Sequence, residues 1–92
     1  MKSELKVGRD GFHRWFNNEG LLHREDGPAI IAPNGTKSWW QNSLRHRVDG
    51  PAVEYVDGRV GWYLNDEYYH TPEEMPFELF IAYLKWRANN GK

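Results

Sequence analysis

Histidine, arginine and aspartate side chains recur in two copies of one short phrase. HREDGPA occupies residues 23–29 and HRVDGPA occupies residues 46–52, so six of the seven letters repeat after 23 residues. Imidazole and carboxylate groups are metal ligands and general acids or bases, which makes the phrase a candidate for zinc or hydrolytic chemistry. A zinc site needs several such groups converging on one ion. Equivalent positions one hairpin apart on a sheet lie at roughly twice the strand spacing of about 4.8 Å, so the pattern indicates neither a metal site nor a cofactor.

Catalysis by the same groups is also disfavoured, because an active site does not need one residue set twice. The chain has no cysteine, no Gly-Lys-Ser/Thr phosphate loop and no serine in a nucleophile-elbow context. We therefore expect no enzymatic activity and interpret the phrase as a connecting loop. Aspartate would bond the following backbone in an Asx turn, glycine and proline would set the turn, and histidine and arginine would fasten it. The residues assigned to this structural role are His23, Asp26, Gly27, Pro28, His46, Asp49, Gly50 and Pro51.

The arginines of the phrase allow two interpretations. Arg24 and Arg47 could clamp a phosphate or carboxylate of a partner, or they could pair with nearby carboxylates and stack on tryptophan, which is the favoured interpretation. The chain has 12 basic and 13 acidic residues and a formal net charge of −1. Proteins that bind nucleic acid mainly through its phosphates usually carry a basic excess, so nucleic acid is the less favoured partner.

The phrase belongs to a longer repeat. Trp39 and Trp62 are 23 residues apart, whereas Trp15 and Trp39 are 24 apart, as are His46 and His70. Each unit reads W-[FWY]-x-N, a spacer, H-R-x-D-G-P-A, an apolar stretch and an Asn-Gly or Asp-Gly pair, and the third unit breaks off at His70. Apolar runs separated by turn dipeptides predict β-hairpins. We expect strands near 12–17, 21–23, 29–32, 36–41, 44–47, 52–56, 59–64 and 67–69.

The last segment has a different pattern. Thr71-Pro72-Glu73-Glu74 is a capping-box sequence, and the spacing of its downstream apolar residues predicts a helix over about 76–88 with Asn89-Asn90-Gly91 as its stop. Terminal units of repeat arrays need such a capping element. The predicted fold is mostly β (α+β): one domain over 1–92, with an antiparallel hairpin meander of about 2.5 repeats over 12–70 and a capping helix within 71–90 packed on one sheet face.

Alternation along the strands predicts two aromatic stripes. Trp15, Trp39 and Trp62 should line one face, which we expect the helix to cover with Phe77, Phe80, Ile81 and Leu84. The second stripe would be covered by sheet curvature, loops or arginine side chains, or it would bind a partner. The candidate partner-binding residues are Phe16, Trp40, Tyr63, Arg24 and Arg47.

The repeat with its H-R-x-D-G-P-A phrase over residues 12–70 resembles the MORN-like repeats of small proteins of bacteria and their phages. The resemblance implies an elongated antiparallel sheet that serves as a binding scaffold without catalysis. It makes a non-enzymatic protein-binding module our leading hypothesis, in the form of a phage-encoded accessory protein or inhibitor that binds a bacterial host or defence complex. The first alternative is single-stranded nucleic-acid binding through the aromatic and arginine residues. The second is self-assembly into a homodimer or larger structural unit through the sheet edge or the second stripe. No stretch suggests a signal peptide or a membrane span, so we expect a cytoplasmic protein, in the host cytoplasm if phage-encoded.

Overall fold

An antiparallel sheet dominates the fold in a computed structural model, which describes residues 3–90. The elements are β1 Glu4–Val7, β2 His13–Phe16, β3 Ile30–Ile31, β4 Lys37–Ser38, β5 Trp40–Gln41, β6 Leu44–Arg45, β7 Val53–Glu54, β8 Val60–Leu64, β9 Glu67–Tyr69, a 3₁₀ turn Pro72–Glu74 and the helix α1 Phe77–Asn90. Seven strands form one sheet in the order β1-β2-β3-β4-β7-β8-β9, and β5 and β6 form a two-stranded sheet. The predicted mostly-β meander with one C-terminal helix is therefore confirmed.

The strands differ from the prediction in three places. The predicted strand 21–23 is reduced to a single bridge between Leu22 and Phe16. β1 was not predicted, because its short, mixed segment ELKV lies outside the repeat; it is held by pairing with β2, with Glu4 opposite Phe16. The predicted strand 36–41 is divided at Trp39, where the backbone changes partner. Trp39 donates its N–H to the carbonyl of Ala52, whereas Trp40 pairs with Arg45. The predicted stop residue Gly91 lies outside the described residues.

Two kinds of turn connect the strands and explain the uneven repeat spacing. Three-residue turns close the segments 32–36 and 55–59, where Gly35 and Gly58 have φ of 98° and 96°. Two-residue turns with positive φ at both central residues lie at 42–43 and 65–66, as in type I′ hairpins. The corresponding turn of the first repeat spans 17–21 and has the three-residue form. This extra residue makes the first spacing between tryptophans 24 rather than 23.

The arginine of each HRxDGPA phrase is the centre of a clamp. The Arg47 guanidinium lies 3.9 Å from the centroid of the Trp39 ring. Its Nε donates to Asp49 at 2.9 Å, and a terminal nitrogen donates to the carbonyl oxygen of Pro51 at 3.0 Å. A Cβ on Gly50 would come within 2.7 Å of the guanidinium carbon. The guanidinium is therefore held between an aromatic ring and a bare stretch of backbone.

The first phrase builds the same clamp. The Arg24 guanidinium lies 3.9 Å from the Trp15 ring centroid, bonds Asp26 at 2.9 Å and donates to the Pro28 carbonyl at 3.1 Å. A Cβ on Gly27 would come within 2.9 Å of its carbon. The two aspartates thus accept from arginine side chains, not from the following backbone as the Asx prediction had it. The Asx bonds are found instead in the hairpin turns, at Asp10, Asn17, Asn34 and Asp57.

Histidine links each phrase to the turn of the next repeat. The backbone N–H of Asn42 donates to Nδ1 of His23 at 3.1 Å, and that of Asn65 donates to Nδ1 of His46 at 3.0 Å. An Nδ1 that accepts a hydrogen bond carries no proton. In the first phrase Nε2 lies 3.2 Å from the Glu25 carboxylate, and His23 is only 7% exposed. The histidines therefore satisfy backbone donors that no strand pairing reaches.

The apolar core lies between the last strands and α1. Trp62 is 6% exposed, and the rings of Tyr83 and Trp86 meet it edge-on at 5.7 and 5.8 Å. Leu79 and Ala82 complete the buried cluster. The helix face that covers the sheet is thus not the predicted one.

The prediction that α1 covers all three tryptophans through Phe77, Phe80, Ile81 and Leu84 is wrong. The 14-residue helix spans about 21 Å, and the molecule extends over 38 Å. Arginine guanidinium groups already stack on Trp15 and Trp39, so the helix packs only on Trp62. Leu79, Tyr83 and Trp86 supply the large groups that enclose it, which leaves Phe77 and Leu84 exposed.

In the third repeat the histidine, His70, lies one residue later than the position that His46 occupies in the second repeat. Trp62 pairs with Tyr69 in the same way that Trp39, through its carbonyl, accepts from the N–H of His46 seven residues later. Tyr69 therefore occupies the histidine position and packs against the core cluster, and His70 follows at the position of arginine. The alignment of His70 with His46 is corrected by this register, and the helix rings over Trp62 replace the missing guanidinium.

We expect Gly50→Ala to destabilise the fold by about 1–3 kcal/mol, since its methyl group would push Arg47 off the Trp39 ring. Urea unfolding followed by far-ultraviolet circular dichroism measures the change. Val48→Ala, at an exposed position of the same loop, is the control. Equal unfolding midpoints for the two variants would show that the close approach at Gly50 is not required.

His23→Ala should cost about 1–3 kcal/mol, because it leaves the Asn42 backbone donor without its acceptor in a partly buried place. His46→Ala should cost less, since its bond to Asn65 is exposed. Chemical denaturation of the three single variants, with His70→Ala as the exposed control, gives the order. A smaller loss for His23→Ala than for His70→Ala would contradict the linking role.

Candidate functional site

Aromatic and arginine side chains form a continuous row on the sheet face opposite α1. The Arg45 guanidinium lies 5.7 Å from the Trp40 ring centroid and 4.3 Å from that of Tyr63. The Tyr63 and Tyr68 rings are 5.1 Å apart, and Tyr68 meets the His70 ring at 4.4 Å. We call these five residues the aromatic ladder. Trp62 packs under α1, so its strand neighbour Tyr63 points to the other face.

Two type I′ hairpins position the ladder. The turn at 42–43 places Trp40 opposite Arg45, and the turn at 65–66 places Tyr63 opposite Tyr68. Residues directly opposite in an antiparallel pair have neighbouring side chains on one face. Trp40 is fixed further by a 2.8 Å bond from Nε1 to the hydroxyl of Ser38. The register of two short hairpins thus sets the order of the rings.

Tyr63 lies flat because its neighbour along the strand has no side chain. A Cβ on Gly61 would come within 3.0 Å of the Tyr63 ring. The ring hydroxyl accepts a hydrogen bond from Arg45 at 3.3 Å. Tyr63 is therefore held from below by backbone and at its tip by the guanidinium, which limits its rotamers.

An aspartate neutralises the guanidinium of the ladder. Nε of Arg45 donates to Oδ1 of Asp66 at 2.9 Å, and the Arg45 backbone N–H approaches the same oxygen at 3.4 Å. The hydrogen bond from Arg45 holds the pKa of the Asp66 carboxyl below its ordinary value. The same bond raises the pKa of the Arg45 guanidinium. The ladder thus offers rings and guanidinium edges with little net charge.

One flank of the ladder is open to solvent. Trp40 and Tyr63 are partly buried, whereas Tyr68 is 44% exposed. Tryptophan, tyrosine and arginine are the residue types enriched among binding hot spots. This surface can therefore anchor a partner through stacking and apolar contact.

The structure brings some of the predicted site residues together and places the others elsewhere. Trp40 and Tyr63 are brought together, but among residues 3–90 no ring or guanidinium contact joins Phe16 to them. Phe16 is partly buried beside the first turn and bridges to Leu22. The arginines of the HRxDGPA phrases lie on the opposite face, over Trp15 and Trp39, and Nε and one terminal nitrogen of each are bonded within the chain.

Three ladder residues were not predicted: Arg45, Tyr68 and His70. A sequence signal for two of them exists, because a two-residue turn pairs residues symmetrically about its centre. Asn42-Ser43 as a type I′ turn would have placed Arg45 opposite Trp40, and Asn65-Asp66 would have placed Tyr68 opposite Tyr63. His70 carries no such signal, because it follows the last pair of the hairpin.

The repeated histidines and aspartates do not converge. Within the described part of the chain, no three His, Asp or Glu side chains are grouped so that they could hold a metal ion. Nδ1 of His23 and of His46 is engaged by backbone.

No helix among residues 3–90 has the length and apolar character needed to cross a membrane.

The comparisons with known proteins return no match: no family model, no curated protein sequence and no solved structure matches this chain.

We expect Asp66→Asn to lower stability at neutral pH and to reduce its loss in acid. The folded-state pKa of Asp66 is lowered, so its stabilisation is present above the unfolded value of about 3.9 and is lost as the pH falls through the folded value. Asparagine tolerates the positive φ of residue 66, so the turn should persist. Urea midpoints at neutral and strongly acidic pH measure the effect, with Glu19→Gln as control. A constant difference between Asp66→Asn and wild type across this range would contradict the assignment.

Proposed function

We propose that the protein is a non-enzymatic protein-binding module that meets its partner through the aromatic ladder. The observation that carries the proposal is the guanidinium of Arg45 held between the rings of Trp40 and Tyr63 on a sheet face that α1 leaves free. The large aromatic side chains on this face are not covered by α1, and such exposed apolar patches are typical of interaction surfaces.

The ladder is suited to binding because its side chains are already ordered. Trp40 is bonded to Ser38, Tyr63 rests on Gly61, and Arg45 is bonded to Asp66. A rotamer-rich side chain immobilised on association costs roughly 0.5–1.5 kcal/mol. Groups fixed before binding avoid most of that cost, which supports a role as binding anchors.

A protein fits this surface better than a nucleic acid. Single-stranded nucleic acid binds through stacked bases together with free cationic groups along the backbone. Here the ladder guanidinium is paired with Asp66, and the arginines of the two phrases are paired with Asp26 and Asp49. An apolar protein surface with hydrogen-bond acceptors for the guanidinium edge is the complementary partner.

The resemblance of the HRxDGPA units to those of small bacterial and phage proteins extends the proposal. It supports a bacterial host protein or defence complex as the partner, with the chain as a phage-encoded accessory protein or inhibitor acting in the host cytoplasm. The proposal assigns no catalysis to the chain, because Nδ1 of His23 and of His46 already accepts a backbone hydrogen bond.

The test compares ladder variants with a matched aromatic control. Wild type should retain one stoichiometric protein from bacterial lysate, and purified partner should bind it in isothermal titration. Trp40→Ala and Tyr63→Ala should each weaken this binding at least about tenfold, as for interface hot spots. Phe12→Ala should leave it unchanged, since Phe12 stacks with Arg14 beside β2, four strands away from the Tyr63 strand β8.

Two outcomes would contradict the proposal. One is capture that is equal for wild type, Trp40→Ala and Phe12→Ala, or that is absent for all of them. The other is a saturable quench of tryptophan fluorescence by single-stranded oligonucleotides that disappears with added salt, since that result would assign the ladder to nucleic acid.

A further inference from the structure

The helix α1 has a second apolar stripe on its outward side. Leu79, Ala82 and Trp86 face the sheet, and the positions about half a turn away belong to Phe77, Ile81 and Leu84. Phe77 is 76% exposed and Leu84 is 42% exposed. A 14-residue helix thus keeps one apolar face in the core and turns another toward solvent, where an apolar ring of this size is costly to leave.

The spacing of the stripe is that of a helix–helix seam. Phe77, Ile81, Leu84 and Ala88 follow one another at intervals of four, three and four residues. Alternating intervals of three and four place side chains at the a and d positions of a heptad, which pack against a partner helix rather than a sheet. The stripe therefore matches another helix.

The charges beside the stripe select the partner and its direction. Glu78 and Lys85 are one heptad apart, so they lie on the same flank of the stripe, and both are exposed. A two-fold axis perpendicular to two helices brings identical flanks together. In an antiparallel pair of α1 helices, Glu78 of each copy would lie beside Lys85 of the other, which gives two opposite-charge pairs.

A parallel pair would not have this complementarity. It brings opposite flanks together, and the other flank of the stripe carries Phe80 and Arg87. Lys85 would then lie beside an aromatic ring or a second cation. The helix dipoles favour the antiparallel arrangement as well. The ends of the helix agree with it, because Glu73 and Glu74 precede the N-terminus and Arg87 lies in the last turn.

We propose that the occupant of the α1 stripe is a second copy of this chain, packed antiparallel across a two-fold axis. This interface is independent of the aromatic ladder, which lies on the other face of the sheet and stays accessible in the dimer. Two copies would present two ladders, so a partner with repeated sites would be bound with avidity. A seam of two heptads buries less than the roughly 1,200 Å² of standard interfaces, so the dimer should form at micromolar or higher concentration.

Sedimentation equilibrium of the full chain over a concentration series up to about 1 mM tests the proposal. The apparent mass should rise from 10.9 kDa toward twice that value. Glu78→Lys and Lys85→Glu should each weaken the dimer by about tenfold, because each change replaces both opposite-charge pairs by like-charge pairs. The double variant Glu78→Lys/Lys85→Glu should restore it.

Further variants separate this interface from other surfaces. Phe77→Ser should abolish the dimer with an unchanged circular dichroism spectrum, since its ring makes little contact with the core. Val48→Ser, at an exposed apolar position outside α1, should dimerise like wild type. Trp40→Ala should also dimerise like wild type, although it should lose the partner bound by the ladder.

Three results would overturn the proposal. They are a monomeric mass at every concentration, a double charge variant that stays as weak as the single ones, and a dimer that survives Phe77→Ser but is lost in Trp40→Ala. The last result would move self-association to the ladder. Failure of the wild-type chain to capture any partner, with its mass rising as expected, would contradict the proposed function alone.

Discussion

The stacking of an arginine guanidinium on a tryptophan ring holds each of the first two repeats of this protein together. Arg47 lies over Trp39 with the backbone of Gly50 on its other side, and it donates to the carbonyl of Pro51. Its two carboxylate partners, Asp49 and Glu54, are 81% and 37% exposed, so the ring contact and the carbonyl bond contribute more than the ion pairs. The clamp turns the loop back toward the sheet, where the next residue, Ala52, is fully buried.

A chain of this size needs such clamps because its apolar core is small. Among residues 3–90 the buried apolar residues are Ala29, Ala52, Val53, Trp62, Leu79 and Ala82, and half of them are alanines. Small domains bury a low fraction of their surface. The first two repeats therefore cover their tryptophans with a side chain of their own loop. The last repeat has no third phrase, and the helix takes over that role with Tyr83 and Trp86.

The same alternation that hides one ring of each Trp-aromatic pair turns the other outward. Trp39 is clamped while Trp40 joins the ladder, and Trp62 is buried while Tyr63 rests on Gly61. The two faces cannot exchange roles, because a shift of one residue would move every side chain to the other face. Structural and candidate functional residues are thus neighbours in the chain and lie on opposite sides of the sheet.

Much of this could be predicted from the repeat. Gly35, Asn42-Ser43 and Asn65-Asp66 mark turns through well-known backbone preferences, and these set the meander. The end of the array could not be predicted in the same way. Tyr69 takes the histidine position because strand pairing follows the turn at 65–66, whereas letter matching favoured His70. β1 lacked a signal, since four residues of mixed polarity acquire a strand only through their neighbour.

The sequence pattern could not tell which face of α1 packs against the sheet. α1 has two apolar faces, and the more regular spacing belongs to the one with Phe77, Ile81 and Leu84. The core instead uses Leu79 and Trp86, because a single buried indole is enclosed best by a branched side chain and edge-on rings. The core does not use the regular face, so its spacing of three and four residues remains free to pack against another helix. The charges of Glu78 and Lys85 beside it are complementary when the other helix is the same one, reversed.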